Sequence, residues 1–208
     1  MFGIENLALF IISGLILNIT PGADILYILG RSGSQGFRGG GTAALGIGAG
    51  CFVHVVSATI GISAIIAASA TAFTVVKVIG AAYLIYIGVS MLRKSNNKLE
   101  EIKTMPETKL STIFWQGFLT NALNPKVALF FLAFLPQFIA PEAANKMVGL
   151  LILGLIFTFN GTLWNLFVAW ASSSVAAQFK KSSTVSKWLN RTVGALFVYF
   201  GAKLAVSS

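Results

Sequence analysis

Three ionisable side chains, Asp24, His54 and Lys126, lie inside long apolar stretches of the sequence. Charged groups within a membrane span are costly, so residues of this kind are candidates for binding or proton transfer. Asp24 could bind an ammonium group or a proton, Lys126 could receive a carboxylate, and the His54 imidazole can exchange protons near neutral pH. Simpler interpretations stay open: Asp24 could bond water or Arg31, Lys126 could extend to the interface, and His54 could be a hydrogen-bonded packing residue.

Asp24 and Lys126 each follow a proline that interrupts an apolar run. The two runs share the pattern Gly-x-x-x-Asn followed by proline, ending in Asn18 and Pro21 in the first and in Asn121 and Pro125 in the second. Proline frees backbone carbonyls, and beyond a break a helix N-terminus exposes N–H groups. Matching breaks in two halves of a sequence point to a transporter's binding site near the membrane midplane, although prolines can also be tolerated as simple kinks.

Carbonyls that suit a cation, beside N–H groups that suit an anion, together suit a zwitterion. The predicted substrate-binding residues are Asn18, Pro21, Gly22, Asp24, Asn121, Asn124, Pro125 and Lys126. Within this set the asparagines supply orienting amides, and the backbone donors near Gly22 and Pro125 help Lys126 to receive a carboxylate. Asp24 and His54 are the predicted proton relay.

The composition requires these residues to be carried by a membrane protein. Of 208 residues, 56% are apolar and only 10% are charged, against about 25% charged in an ordinary soluble domain. A soluble enzyme and a disordered chain are therefore excluded, and the single cysteine, Cys51, excludes a disulfide scaffold. The net charge of +9 is interleaved with apolar runs, which argues against a nucleic-acid-binding protein.

Six stretches are long enough to span a bilayer, which takes about 20 apolar residues. They cover residues 7–29, 42–68, 71–92, 113–138, 147–171 and 189–206. The third span runs from Gly80 to Gly88 in a pattern that the sixth repeats from Gly194 to Gly201. We therefore predict an all-α integral membrane protein with six transmembrane helices. They form two inverted-topology three-helix repeats, residues 1–92 and 112–208, joined by a charged cytoplasmic loop at 93–111, with helices 1 and 4 broken by proline.

Basic residues concentrate in alternate loops, which predicts that this side is cytoplasmic and that both termini are periplasmic. The basic residues on that side are Arg31, Arg38, Arg93, Lys94, Lys98, Lys103, Lys109, Lys180, Lys181, Lys187 and Arg191. We interpret them as topology signals rather than ligand sites. The glycine spacings 36–40 and 46–50 could pack helices within one chain or in a homodimer.

Several motifs resemble the LysE/RhtB family of bacterial amino-acid exporters. They are Asn18-Ile-Thr-Pro-Gly-Ala-Asp24, Val-His54, Gly80-Ala-Ala-Tyr-Leu and Gly117-Phe-Leu-Thr-Asn-x-Leu-Asn-Pro-Lys126. The resemblance covers nearly the whole chain and implies amino-acid efflux across the bacterial inner membrane, driven by the proton gradient. It also implies a Pro-Gly-Pro motif in the first break, where this chain has Pro-Gly-Ala23.

The sequence therefore predicts a secondary transporter that exports a small neutral or zwitterionic amino acid, similar to homoserine, threonine or leucine, by proton antiport. No cofactor, metal or nucleic acid is expected. Three alternatives remain: a divalent-metal exporter, an intramembrane enzyme, or a membrane scaffold. One Asp, one His and one Cys in the spans make a sparse metal-ligand set. Neither paired carboxylates nor a nucleophile motif supports an enzyme.

Overall fold

The structure is a computed structural model that describes residues 2–20, 22–68, 105–140 and 142–174, with isolated positions between 75 and 89 and between 195 and 202. Pro21 and the basic segments 93–104 and 180–191 lie outside the described residues. So does most of the predicted third and sixth spans, and with them the glycine patterns on which the repeat prediction partly rests.

The described chain is helical throughout, as predicted. The helices are α1 (Leu7–Ile19), α2 (Ala23–Ala68), α3 (Leu110–Ala122), α4 (Pro125–Phe134) and α5 (Lys146–Ser174), and a 3-10 helix (Leu135–Phe138) follows α4. Among these residues the sole extended pairing is an isolated bridge between Ile4 and Ile139. Two segments, Ala23–Ile62 and Lys146–Ser174, are long and apolar enough to cross a membrane, and α3 with residues 125–138 makes a third if that bent pair is one span.

Both predicted helix breaks are present. In the first, α1 ends at Ile19 and α2 begins at Ala23. In the second, α3 ends at Ala122, and α4 begins at Pro125 with a change of direction of 47°. Proline fits the first turn of α4 because the N–H group that it lacks has no helical partner there.

The basic loop predicted between residues 29 and 42 is instead a tight helical corner, so that boundary prediction was wrong. Only Gln35 and Gly36 leave the helical conformation, and Gly36 has a φ of 61°, which glycine adopts without strain. The corner divides α2 into a first limb (23–34) and a second limb (37–68). The limbs fold back on each other so closely that a Cβ on Gly39 would lie 2.9 Å from the Arg31 carbonyl oxygen.

Glycines let the second limb pack closely against α3, in parallel. A Cβ on Gly46 would overlap the carbonyl oxygen of Phe114, and one on Gly50 would overlap that of Phe118. Small residues allow such close backbone approach between membrane helices. The second limb therefore sets the position of α3 along the bundle axis, and α3 ends at one of the two breaks.

The other broken span packs on α5 in the corresponding way. A Cβ on Gly14 would lie 3.1 Å from the Phe157 ring, and one on Gly161 would lie 3.0 Å from the Asn18 amide nitrogen. Each broken span thus lies along a helix that the sequence pattern assigns to the other predicted repeat. A two-fold relation between halves requires this reciprocal pairing.

The two ends of this helix bundle are closed by different chemistry. At one end, six aromatic side chains pack with ring centroids 4.7 to 6.5 Å apart. This phenylalanine cluster consists of Phe10, Phe130, Phe131, Phe134, Phe138 and Phe157. The N-terminal segment lies beside it, because Ala140 donates a backbone hydrogen bond of 2.7 Å to Gly3.

The other end is closed by a hydrogen-bonded group that we call the corner network. Arg31 is only 5% exposed, and its guanidinium donates to the Tyr27 hydroxyl, the Pro106 carbonyl at 2.9 Å and the Gln116 amide oxygen at 2.7 Å. Gln35 adds two hydrogen bonds to the Thr108 backbone. The interpretation of Arg31 as a loop charge was therefore incomplete, because this side chain is buried and holds the chain just before α3.

Replacing Gly46 with alanine should lower the free energy of unfolding by about 1–3 kcal/mol, the usual cost of overpacking. The added methyl would meet the Phe114 backbone, which cannot move aside as a flexible side chain could. Thermal unfolding in detergent measures the effect. The matched control is Gly61→Ala in the same helix, where nothing lies within 4 Å of an added Cβ. Equal loss of stability in both variants would contradict the packing argument.

Candidate functional site

The two helix breaks converge on each other, and Lys126 links them from one side. Its ammonium nitrogen donates to the carbonyl oxygens of Leu17 at 3.2 Å and Thr20 at 3.3 Å. Both carbonyls lie at the C-terminal end of α1, where backbone acceptors lack regular helical partners. Thr20 is the C-cap of the helix, and the Leu17 carbonyl also accepts from the Thr20 N–H at 3.2 Å. The cation that these carbonyls suit is therefore supplied by the chain itself.

Asp24 links the breaks from the other side. Its Oδ2 accepts from the amide nitrogens of Asn121 at 2.8 Å and Asn124 at 3.4 Å. Asp24 stands in the first turn of α2, whereas both asparagines belong to the end of α3 and the gap before α4. Each charged side chain of one broken span is thus held by the break of the other.

Several polar atoms at this junction are buried and find no hydrogen-bond partner among the residues that the structure describes. Asp24 Oδ1, Asn18 Nδ2 and Asn121 Oδ1 are among them. Leaving such an atom unpaired costs about 1–3 kcal/mol, and more for a charged group. Unpaired groups of this kind in a native fold call for an explanation, such as a ligand or a catalytic role. The junction offers an acceptor on a carboxylate and a donor on an amide.

These residues surround a cavity of about 40 Å³, counted as the space open to the centres of water molecules. Its lining is Leu17, Asn18, Thr20, Gly22, Asp24, Ile25, Ile47, Gly48, Cys51, Asn121, Asn124, Lys126, Val127, Phe157, Thr158, Gly161, Thr162 and Asn165. Space of this size holds a few water molecules, at roughly 10–15 Å³ each. A bound amino acid would need the walls to move apart.

The cavity brings together six of the eight predicted substrate-binding residues: Asn18, Gly22, Asp24, Asn121, Asn124 and Lys126. Pro21 lies outside the described residues. Pro125 begins α4 and is exposed rather than lining the cavity. The backbone N–H of Lys126, expected to help bind a carboxylate, instead donates to the Asn124 side chain at 3.0 Å. Asn124 therefore caps α4 as well as contacting Asp24.

His54 lies behind the cavity wall rather than on it. Its Nε2 is 2.7 Å from the backbone oxygen of Asn121, and because a carbonyl oxygen only accepts, Nε2 carries the hydrogen. In a continuous helix that oxygen would accept from the residue four positions later, which is Pro125 and has no N–H. The oxygen accepts instead from the Asn124 backbone N–H at 2.8 Å and from His54, and through Asn121 the imidazole is connected to Asp24.

The sequence-based prediction missed one wall of the site. Cys51 in the second limb and Thr158, Thr162 and Asn165 in α5 all line the cavity, and the Thr158 hydroxyl contacts Cys51 Sγ at 3.3 Å. A signal was available, because Thr158, Gly161 and Asn165 lie on one face of a helix at intervals of three and four residues. That pattern indicated close helix packing, which the structure also contains, but it did not indicate a binding wall.

Among the residues that the structure describes, no group of three or more His, Cys, Asp and Glu side chains could hold a metal ion. The polar atoms of the cavity are carboxylate, ammonium, amide and hydroxyl groups. Such a set can bind a small molecule that carries both charges.

Comparison with known proteins finds one matching family model and several relatives of nearly full length. The family model described as LysE type translocator matches residues 15–208. The uncharacterized membrane protein YrhP of Bacillus subtilis is 34% identical over 98% of this chain and all of its own length. The uncharacterized membrane protein PA4757 of Pseudomonas aeruginosa is 30% identical over 99% of this chain and 97% of its own.

A third relative carries a functional name. The leucine efflux protein of Enterobacter sp. (strain 638) is 28% identical over 98% of this chain and 96% of its own length. No solved structure matches the chain. The resemblance carried by the two proline motifs is confirmed: the chain belongs to the LysE type translocator family.

Proposed function

We propose that this membrane protein exports a small neutral amino acid across the bacterial inner membrane in exchange for protons, and that the amino acid binds in the cavity between the two helix breaks. One observation carries the proposal: an Asp24 oxygen without a hydrogen-bond partner among the described residues and the Lys126 ammonium both lie at the same cavity. Membership of a translocator family and a relative named for leucine efflux support an amino-acid substrate.

The charges suggest how the substrate would be oriented. Its ammonium would donate to Asp24 Oδ1, for which the described part of the chain supplies no hydrogen-bond partner. Its carboxylate would accept from Lys126, whose ammonium has three donors of which two are engaged by α1 carbonyls. A metal cation fits less well, because the freed carbonyls that could bind it already hold the lysine.

Proton coupling would follow from competition at one carboxylate. Asp24 can hold either a proton or the substrate ammonium, and binding of either lessens the cost of its buried charge. A carrier that crosses with one or the other exchanges them stoichiometrically. His54, hydrogen-bonded to Asn121, would contribute to proton transfer only if its own protonation changed during the cycle.

The architecture proposed for this function is the one expected from the sequence. Six spans form two inverted repeats at 1–92 and 112–208, joined by a cytoplasmic loop, with both termini periplasmic. The reciprocal packing of α1 on α5 and of α3 on the second limb supports a two-fold relation between halves. Assembly as a homodimer through glycine-rich faces is part of the same proposal.

The deciding experiment is counterflow by the purified protein in liposomes, with a panel of amino acids tested with and without an imposed pH gradient. We expect exchange of small neutral amino acids and uphill movement when the gradient is present. Exchange of none of them would overturn the proposed function. Exchange that ignores the pH gradient would overturn the proton coupling alone.

Replacing His54 with glutamine separates two roles for this residue. Glutamine can still donate a hydrogen bond to the Asn121 carbonyl but does not titrate. If His54 only supplies a second donor to the Asn121 carbonyl, His54→Gln should exchange within about threefold of the wild type with an unchanged dependence on pH, because the hydrogen bond is kept. Losing one neutral hydrogen bond costs about 0.5–1.5 kcal/mol, or roughly 2- to 12-fold. His54→Leu, which removes the donor, is the matched comparison.

Exchange rates measured between pH 5.5 and 8.5 decide between the roles. Loss of pH dependence in His54→Gln, with exchange itself retained, would establish His54 as a proton carrier. Equal activity of the glutamine and leucine variants would contradict the hydrogen-bonding role.

A further inference from the structure

The α5 wall of the cavity carries polar side chains that have no part in binding the substrate's ammonium and carboxylate groups. Thr158, Thr162 and Asn165 all line the cavity from this helix. The Thr158 hydroxyl is engaged, since it donates to the Gly154 carbonyl at 2.9 Å. Asn165 is only 8% exposed, and its amide makes no hydrogen bond to any other residue that the structure describes.

A second unused amide faces this wall from α1. Asn18 packs against Gly161, where an added Cβ would lie 3.0 Å from its Nδ2 and 3.1 Å from its Oδ1. Its Nδ2 is buried without a partner. Gly161 lies one helical turn before Asn165 on the same face of α5. The cavity therefore has two unengaged amides on facing helices, α1 and α5.

The other two asparagines of the cavity are occupied differently. Asn121 and Asn124 both donate to Asp24 Oδ2, so they support the carboxylate and belong to the part of the site that holds the charges. A substrate whose ammonium and carboxylate lie at Asp24 and Lys126 directs its side chain away from them. The remaining walls are α5 and the second limb, which contributes Ile47, Gly48 and Cys51.

The cavity leaves little room between the second limb and α5. A Cβ on Gly48 would lie 2.5 Å from the Thr162 hydroxyl oxygen, so the second limb and α5 are already close at this height. The whole cavity measures about 40 Å³. A short side chain is accommodated with less displacement of the walls than a long one. A polar group on it could bond the buried Asn18 Nδ2 and the Asn165 amide, which makes no hydrogen bond to another described residue.

We propose that Asn165, with Asn18 opposite, forms a subsite that binds the substrate's side chain and selects one with a hydrogen-bonding group over an aliphatic one of the same shape. This inference rests on the proposed function, because it takes the charged ends of the amino acid to lie at Asp24 and Lys126. An amide both donates and accepts, so it pairs with a hydroxyl or a carboxamide equally well. A site built to form such a bond rejects the analogue that lacks it, because its own polar groups are then left unpaired.

The test compares two pairs of nearly isosteric amino acids, threonine with valine and asparagine with leucine. Initial counterflow rates are measured in liposomes with the wild-type chain and with Asn165→Leu, which keeps the shape of the side chain and removes its amide. We expect the wild type to favour the polar member of each pair at least about tenfold, as the discrimination by one buried hydrogen bond allows. In Asn165→Leu the ratio should fall to within about threefold of unity, because exchange of the polar member of each pair falls more than exchange of the aliphatic member.

Two further variants keep the test decisive. Asn165→Ser retains a hydrogen-bonding group and should keep the preference even if the leucine variant does not fold. Thr59→Val removes a buried hydroxyl that also lacks a partner but does not line the cavity, and it should leave the ratios unchanged.

The failures are distinguishable from one another. If the wild type exchanges valine as well as threonine, the subsite inference is wrong and the proposed transport function stands. If Asn165→Leu lowers both members of each pair equally, Asn165 contacts the charged end of the substrate or supports the fold, and the inference is again overturned. If the wild type exchanges no amino acid, the proposed function itself fails.

Discussion

Replacing Asp24 with asparagine should reduce amino-acid exchange by about 100-fold or more and abolish the response to a pH gradient. The substrate ammonium loses a charged acceptor in a buried site, a change that costs about 2–5 kcal/mol, or about tenfold for every 1.4 kcal/mol. The protein should remain folded, because the asparagine oxygen can still accept the Asn121 hydrogen bond of 2.8 Å. Counterflow with and without the gradient measures both effects.

The control for this variant is Glu107→Gln, which removes an exposed carboxylate just before α3. It should leave exchange and coupling as in the wild type. Full exchange by Asp24→Asn would remove Asp24 from the binding site. Retained exchange without a pH response would leave it only the role of proton carrier.

Replacing Lys126 with methionine should cause a loss of exchange of similar size and also destabilise the fold. The substrate carboxylate loses its charged donor, and the carbonyls of Leu17 and Thr20 lose the ammonium that bonds them. The Leu17 carbonyl keeps its bond from the Thr20 N–H, but a Thr20 carbonyl left unpaired costs about 1–3 kcal/mol, so thermal unfolding should shift together with transport. Lys109→Met is the control, since Lys109 is an exposed lysine at the start of α3.

A double variant, Asp24→Asn with Lys126→Met, connects the two results. If both side chains bind one substrate molecule, the double variant should lose less activity than the product of the single losses, because residues that act as a unit are not additive. Independent, multiplicative losses would indicate that the two residues act at separate steps.

The positions of the helix breaks could be predicted because their cause is local. Pro125 lacks a donor wherever it stands, so the end of α3 near Ala122 follows from the sequence alone. The convergence of Asp24 and Lys126 could also be predicted, on the expectation that the two interruptions meet at a pseudo-two-fold axis, and both side chains line one cavity. The sequence did not predict that each charged side chain is held by the helix break of the other span. That arrangement depends on which side chains reach across the junction.

Other features depend on tertiary packing that no local pattern encodes. Arg31 counts as a loop charge in any survey of basic residues, yet its neighbours Tyr27, Pro106 and Gln116 surround it once the chain turns at Gly36. Asn165 has the same appearance in the sequence as a packing residue, since its helix face also carries Gly154 and Gly161. Its place in the cavity wall becomes visible only when α1 lies beside α5.

The two ends of the bundle are closed by different interactions, so the free energy needed to open one end differs from that needed to open the other. Separating the corner network exchanges protein hydrogen bonds for bonds to water, at a net cost of about 0.5–1.5 kcal/mol each. Separating the phenylalanine cluster hydrates aromatic rings that bury about 150–250 Å² apiece. Both ends are closed in the structure, and the Arg31 end should therefore separate at lower cost than the Phe10 end. Because hydration of apolar surface carries a large heat capacity, the rate of opening at the aromatic end should curve with temperature far more steeply than the rate at the polar end.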